Sequence, residues 1–199
     1  MDEPIPGVIH WTAFHEGIHS EVSSYYLRAE RVLIDPMLPP QGLGWLAENG
    51  PPALILLTNR HHYRHSDQIV EAFGIEVRAS RPGMHEFGSD KQVQPFDFGD
   101  QLPGPAVAHE VGAICPDETA FELPSVRALA FADGLIRSRR SGQLGVVPDS
   151  LMGDDPEEVK RGLRAAFARL AELDIDNLLL AHGTPEIGGG RDALRRLAR

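Results

Sequence analysis

Ala53-Leu54-Ile55-Leu56-Leu57-Thr58 restricts the fold more than any other segment, because it is apolar without interruption from Ala53 to Leu57 and is bounded by Pro51-Pro52 and by the polar stretch Asn59 to His65. Successive side chains of a strand point to opposite faces, so a strand that is apolar throughout must be covered on both. The chain therefore needs a sheet with a packed layer on each side. Ser66 is placed to cap a helix that carries Ile69, Val70 and Phe73 on one side, Gly74 stops it, and Ile75 to Ala79 reads as the next strand. Residues 53–79 thus form a strand-helix-strand unit.

The rest of the chain follows the same logic. Val8 to Phe14, Ser23 to Leu27 and Arg31 to Ile34 read as three strands of a meander, and Gly42 to Glu48 as a short helix. Strand-length pieces recur at Ala106 to Val111, Thr119 to Leu123, Val126 to Phe131 and Leu135 to Arg137, with Arg137 to Gly142 forming a hairpin tip. A longer helix begins at Pro156 after Asp154-Asp155, with Glu157 and Glu158 in its first turn and Val159, Leu163, Ala166, Phe167 and Leu170 on one stripe. Asp176 to Leu180 is another buried strand, and a basic helix from Arg191 turns Arg195, Arg196 and Arg199 to solvent. No linker or low-complexity stretch divides residues 1–199, which read as a single domain of mixed α/β class.

Charge and cysteine usage narrow the partners. The net charge of -10 opposes a polyanion over most of the surface, so nucleic acid is not an expected partner. No apolar run approaches the roughly 18 residues a membrane span requires, and the acidic start MDEPIPG is unlike a signal peptide. One thiol, Cys115, allows no internal disulfide, which suits a reducing compartment and a cytoplasmic location. It precedes a proline and reads as a small buried hydrophobe. A homodimer is compatible with the many apolar strands, but no face is specified.

Three polar clusters lie just past the C-terminal ends of expected strands: Asn59 to His65, Asp133 and His182. Ligand sites collect at such ends when helices flank a sheet. No nucleophile elbow, Walker loop or dinucleotide fingerprint is present.

At these clusters the sequence resembles the metallo-β-lactamase-fold hydrolases, whose members include glyoxalase II-like thioesterases, lactonases and ribonuclease Z. The resemblance rests on VLIDP at 32–36, ILLTNRHHYRH at 55–65, AFADG at 130–134, the acid-capped helix from 156 and LLLAHGTPEIGGG at 178–190. It implies an αββα four-layer sandwich of two mixed sheets flanked by helices. With Thr58 set on the threonine of the family's T-H-x-H-x-D-H motif, Asn59, Tyr63 and Arg64 replace ligands and His61 alone stays in register. Ala113 falls where the family has a middle histidine, whereas Asp133 and His182 match its bridging aspartate and terminal histidine.

The resemblance therefore implies a reduced centre. Candidate ligands are His61, His62, His65, Asp133 and His182, holding one divalent ion (zinc, iron or manganese), with Asp133 and His182 also carrying catalysis on a small ester, thioester or lactone. The alternative is a metal-free descendant. Arg60 and Arg64, four apart and on one face if the segment is helical, could then grip a small anion, or the same mouth could receive a protein partner. An Asx-turn at Asp133 and a carbonyl-bound His182 remain open as purely structural roles. His10, His15, His19, His85 and His109 read as packing or surface residues, although His15 and His19 could approach the mouth.

Overall fold

The computed structural model describes residues 1–199 and sets two mixed β-sheets face to face, with helices on both outer surfaces. The first sheet contains seven strands in chain order: β1 (Asp2–Ile5), β2 (Val8–His15), β3 (Ser20–Leu27), β4 (Val32–Ile34), β5 (Leu54–Leu56), β6 (Glu76–Ser80) and β7 (Val93–Phe96). The strands from β1 to β4 pair antiparallel, and those from β4 to β7 pair parallel. In the second sheet β8 (Gln101–Leu102), β9 (Ala106–Glu110), β10 (Thr119–Leu123) and β11 (Ala128–Phe131) run antiparallel. A small separate hairpin of β12 (Ile136–Arg137) and β13 (Leu144–Gly145) follows, and β14 (Asn177–Leu180) then pairs parallel with β11.

Residue alternation sorts the apolar side chains into three cores. Leu54 and Leu56 of β5 face the second sheet, where they meet a core that includes Phe121, Ala130 and Leu179. Ile55, between them, faces outward with Leu57 beneath α1 (Leu43–Glu48) and α2 (Ser66–Phe73), through Leu46 and Ile69. On the far side Leu129, Phe131 and Leu178 pack against α3 (Pro156–Leu170) and α4 (Gly190–Leu197). Both faces of each central strand are therefore covered, as an uninterrupted apolar run requires.

Local signals set the ends of these elements. Asp155 caps α3 by accepting a hydrogen bond from the Glu158 N–H at 2.9 Å, Pro156 follows at the first helical position, and Leu163, Ala166, Phe167 and Leu170 are buried. Gly74 ends α2 in a left-handed conformation. Ser66 does not cap that helix: it lies inside α2, its buried hydroxyl has no partner, and His65 occupies the cap position without a side-chain hydrogen bond. β11 starts two residues later than the apolar pattern suggests, because residues 124–126 form a 3-10 turn closed by Arg127 at φ +48. No helix is long and apolar enough to cross a membrane.

Candidate metal centre

Parallel pairing brings four strand ends to one rim. Phe131 of β11 pairs with Leu180 of β14, so Asp133 and His182 stand at the same level, each two residues beyond the ladder. Ile34 of β4 pairs with Leu56 of β5, which places Asp35 beside Thr58. Two backbone hydrogen bonds join the sheets at this rim, from Thr119 N–H to the Thr58 carbonyl and from Ser23 N–H to the Ala181 carbonyl, both 2.8 Å.

Asp35 anchors the first-sheet side. Its backbone adopts φ +48, a left-handed conformation that Asp tolerates better than most residues, and its carboxylate is buried. Oδ1 accepts from the Thr58 N–H at 2.8 Å, while Oδ2 faces the Thr58 hydroxyl and His62 Nδ1, the latter at 2.9 Å. Burial alone would raise this carboxyl; His62, Arg64 and Thr58 reverse that and hold it below its ordinary value.

His62 is buried, and with Nδ1 turned to Asp35 it directs Nε2 to Asp133 Oδ1 at 3.4 Å. His182 Nε2 reaches the same oxygen at 2.9 Å, and the two imidazoles meet edge to face with centroids 5.6 Å apart. The Asn59 amide donates to the other oxygen, Oδ2, at 2.7 Å. Burial opposes charge on His62, and Arg64 adds to that, but the carboxylates of Asp35 and Asp133 prevail and lift its pKa to about 9. Asp133 shows the reciprocal effect: burial would raise it, yet His62 and His182 hold it well below its ordinary value.

One donor atom from each of His62, Asp133 and His182 lies within 4.8 Å of the other two. This N2O set suits zinc, iron or manganese. The ring nitrogen of His62 that faces away from the cluster is held by a buried carboxylate, an arrangement that fixes the tautomer and raises the basicity of a metal-binding histidine. The donor set fits a divalent ion.

The remaining sequence candidates lie elsewhere. His61 is exposed, and its backbone N–H donates to Asn59 Oδ1 at 2.9 Å. Arg60–Tyr63 is a 3-10 turn kinked at His62 (φ -93, ψ 20), and it buries His62 while leaving the adjacent His61 exposed. His65 is committed as well, with Nδ1 accepting the Leu38 N–H at 3.0 Å.

The expected anion fork of Arg60 and Arg64 does not form. The 3-10 turn ends at Tyr63 and Arg64 adopts φ +47, so the two arginines do not share a helical face. Arg60 pairs with Asp117 and reaches Glu86 at 3.5 Å, whereas Arg64 donates to the Ser23 and Asp35 carbonyls, each at 2.7 Å. Ala113 packs against the core under α3.

Cys115 is half-buried rather than buried, and that burial raises its thiol above the ordinary value, which favours the protonated form. His15 lies near Arg64, His62 and His182, which together with burial lower its pKa.

Asp35, Thr58 and Asn59 are not candidate ligands from the sequence, yet they hold His62 and Asp133 in place. The signal for Asp35 was present, since it is a polar residue directly after an apolar strand. Glu118 carries no sequence signal of its own. It is buried, accepts from the Gly134 N–H beside Asp133, and is pushed up to about 8 by burial and by Asp133. Residues before a strand carry no pattern that marks such a contact.

No protein-family model matches the sequence, and no curated protein matches it. Solved structures do. The chain is similar to a metallo-β-lactamase family protein from Thermus thermophilus, at 18% identity and a TM-score of 0.68 over 98% of this chain and 79% of that one. It is similar to TTHA1623 in a di-iron-bound form, at 22% identity and a TM-score of 0.70 over 94% and 98%. A B3 metallo-β-lactamase with an active-site glutamic acid is similar at 20% identity and a TM-score of 0.61 over 89% and 80%.

Proposed function

From the metallo-β-lactamase fold that these likenesses establish, we propose that the chain is a metal-dependent hydrolase with one ion held by His62, Asp133 and His182, acting on a small ester, thioester or lactone. The observation that carries this reading is the convergence of His62 Nε2, His182 Nε2 and Asp133 Oδ1. Two of these three donors are also fixed from behind, His62 by Asp35 and Asp133 by Asn59. A divalent ion there, zinc, iron or manganese, supplies Lewis acidity that acidifies water and polarises a carbonyl.

The chain's own residues prepare the place. Asp35 and Asp133 bring two carboxylates to the rim, Arg64 brings one positive charge, and the balance is met either by a second proton on His62 or by a cation. Asp35 holds the Nδ1 hydrogen of His62 and so leaves Nε2 to exchange its proton for the ion. Asn59 occupies Asp133 Oδ2 and keeps Oδ1 directed to the two rings.

One observation favours a second reading, a metal-free scaffold: Asn59, His62 and His182 among them occupy both oxygens of the Asp133 carboxylate. Elemental analysis of protein purified without added metal separates the two. Stoichiometric zinc, iron or manganese that disappears in Asp133→Ala supports the hydrolase, and a blank on the parent protein refutes it.

A further inference from the structure

Away from the ligands, three residues reproduce the order of a Ser-His-Asp array. His10 Nδ1 lies 2.8 Å from Asp2 Oδ1, and His10 Nε2 lies 3.0 Å from Ser23 Oγ. Ser23 is nevertheless no nucleophile: it is 0% exposed, and its hydroxyl donates to the Gly183 carbonyl at 3.0 Å. Where that hydroxyl points gives the array its meaning. Gly183 follows His182 in the chain, and Ser23 also donates its N–H to the carbonyl of Ala181, the residue before. Ser23 therefore holds the main chain on both sides of His182.

Other contacts strengthen the same grip. The Tyr25 hydroxyl donates to the Leu180 carbonyl and accepts from the Leu180 N–H, both at 2.9 Å. His10 stacks on Tyr25 with centroids 5.0 Å apart, which fixes the plane of the imidazole that orients Ser23. From the opposite side the Arg137 N–H donates to the His182 carbonyl at 2.9 Å. Gly183 sits at φ +92 with the Arg137 carbonyl 2.6 Å from where a Cβ would lie, so the turn has little room to adjust. The side chain of His10 is only 6% exposed while that of Asp2 is 65% exposed, and the contacts run from an N-terminal edge strand of one sheet to a ligand of the other.

We infer that Asp2, His10 and Ser23 are positioning residues for His182, a hydrogen-bonded relay that holds its turn so that Nε2 meets Asp133 Oδ1. The inference rests on the reading of His182 as a metal ligand. It is tested with Co2+ and Zn2+ alone, by chelator competition and by the visible absorption of the cobalt form, on the full chain and on Asp2→Ala, His10→Leu, His10→Gln and Ser23→Ala. Thermal unfolding of the metal-free proteins confirms that each variant folds, and Asp2→Ala alters an exposed residue if the buried ones do not.

Ser23→Ala and His10→Leu are expected to weaken metal binding about 10-fold or more and to change the cobalt spectrum, as loss of an outer partner does. His10→Gln, whose amide can still reach Ser23, restores most of the affinity, and Asp2→Ala gives a smaller loss. Parent-like affinity and spectrum in His10→Leu and Ser23→Ala overturn the relay and leave the metal reading intact. Equal losses in His10→Leu and His10→Gln overturn it too, because packing would then explain both. A parent protein that binds neither ion removes the metal reading and the relay together.

Discussion

The two sides of the candidate centre are held by different forces. Asp133 and His182 extend from neighbouring parallel strands, and the ladder that pairs Phe131 with Leu180 sets their level through backbone hydrogen bonds. His62 stands on a 3-10 turn beyond β5, where its place depends on the Thr58 hydroxyl and on the Asp35 carboxylate, whose charge Arg64 helps to hold. One side has its level set first by backbone geometry. The other is fixed by buried electrostatics and should fail when a charge is removed.

Removing the carboxylate is the most severe way to break this contrast. Asp35→Ala leaves the Thr58 and His62 donors without an acceptor and leaves Arg64 facing one carboxylate fewer. Breaking a buried pair on one side costs about 3–5 kcal/mol. Chemical denaturation of the metal-free variant should show a loss of that size, with metal binding lost in the protein that remains folded. A loss below about 1 kcal/mol, the level of an exposed pair, would mean that the turn needs no buried charge.

pH tests the same side without a mutation. The His62 pKa rises from 6.5 to about 9 on folding, so its contribution is fully present below 6.5 and is lost as pH rises through 9. At about 1.4 kcal/mol per pH unit the effect amounts to about 3 kcal/mol. Glu118 has the same sign, since its rise from 4.5 to about 8 makes the folded chain bind more protons across that window. Asp35 and Asp133, held below 3.8, define the acid limb, where stability falls with falling pH. The melting temperature of the metal-free protein should therefore be highest near pH 5 and decline towards 9, while metal affinity rises over the same range because the ion displaces a proton. In a Glu118→Gln background, which removes the overlapping carboxyl, a melting temperature that is flat between pH 6.5 and 9 would show His62 to be neutral in the folded chain.

The ladder side should respond to backbone changes instead. Gly183→Ala places a methyl group 2.6 Å from the Arg137 carbonyl at a residue with φ +92, and strain of this kind costs about 2 kcal/mol. The expected result is that loss at every pH, with the slope of stability against pH unchanged. A changed slope would mean that the two sides share one network.

This contrast also decides how much could be read from the sequence. Asp133 and His182 were legible because an apolar strand announces its own end, and residues just beyond paired parallel ends lie together. The four layers were legible for a related reason: Leu54 to Leu57 can be buried on both sides only between two packed faces. The segment from Asn59 to His65 was not legible in detail, because periodicity does not distinguish adjacent histidines and nothing local announces φ +47 at Arg64. The partners of Arg60 and Glu118, at Asp117 and Gly134, are set by tertiary contact and leave no local mark.

The smallest effect expected is the most discriminating. His61 and His62 are neighbours of identical chemistry, yet His61 is exposed and makes only a backbone contact within its own turn, while His62 lies between two carboxylates. His61→Ala should change stability by less than about 0.5 kcal/mol, as a surface substitution does, and should leave metal stoichiometry and affinity at parent values. His62→Ala should abolish binding under the same conditions. If isothermal titration found the reverse, the turn would present its other face to the ion, the register of the resemblance would hold, and the Asp35–His62 pair would be a structural support behind a centre built from His61.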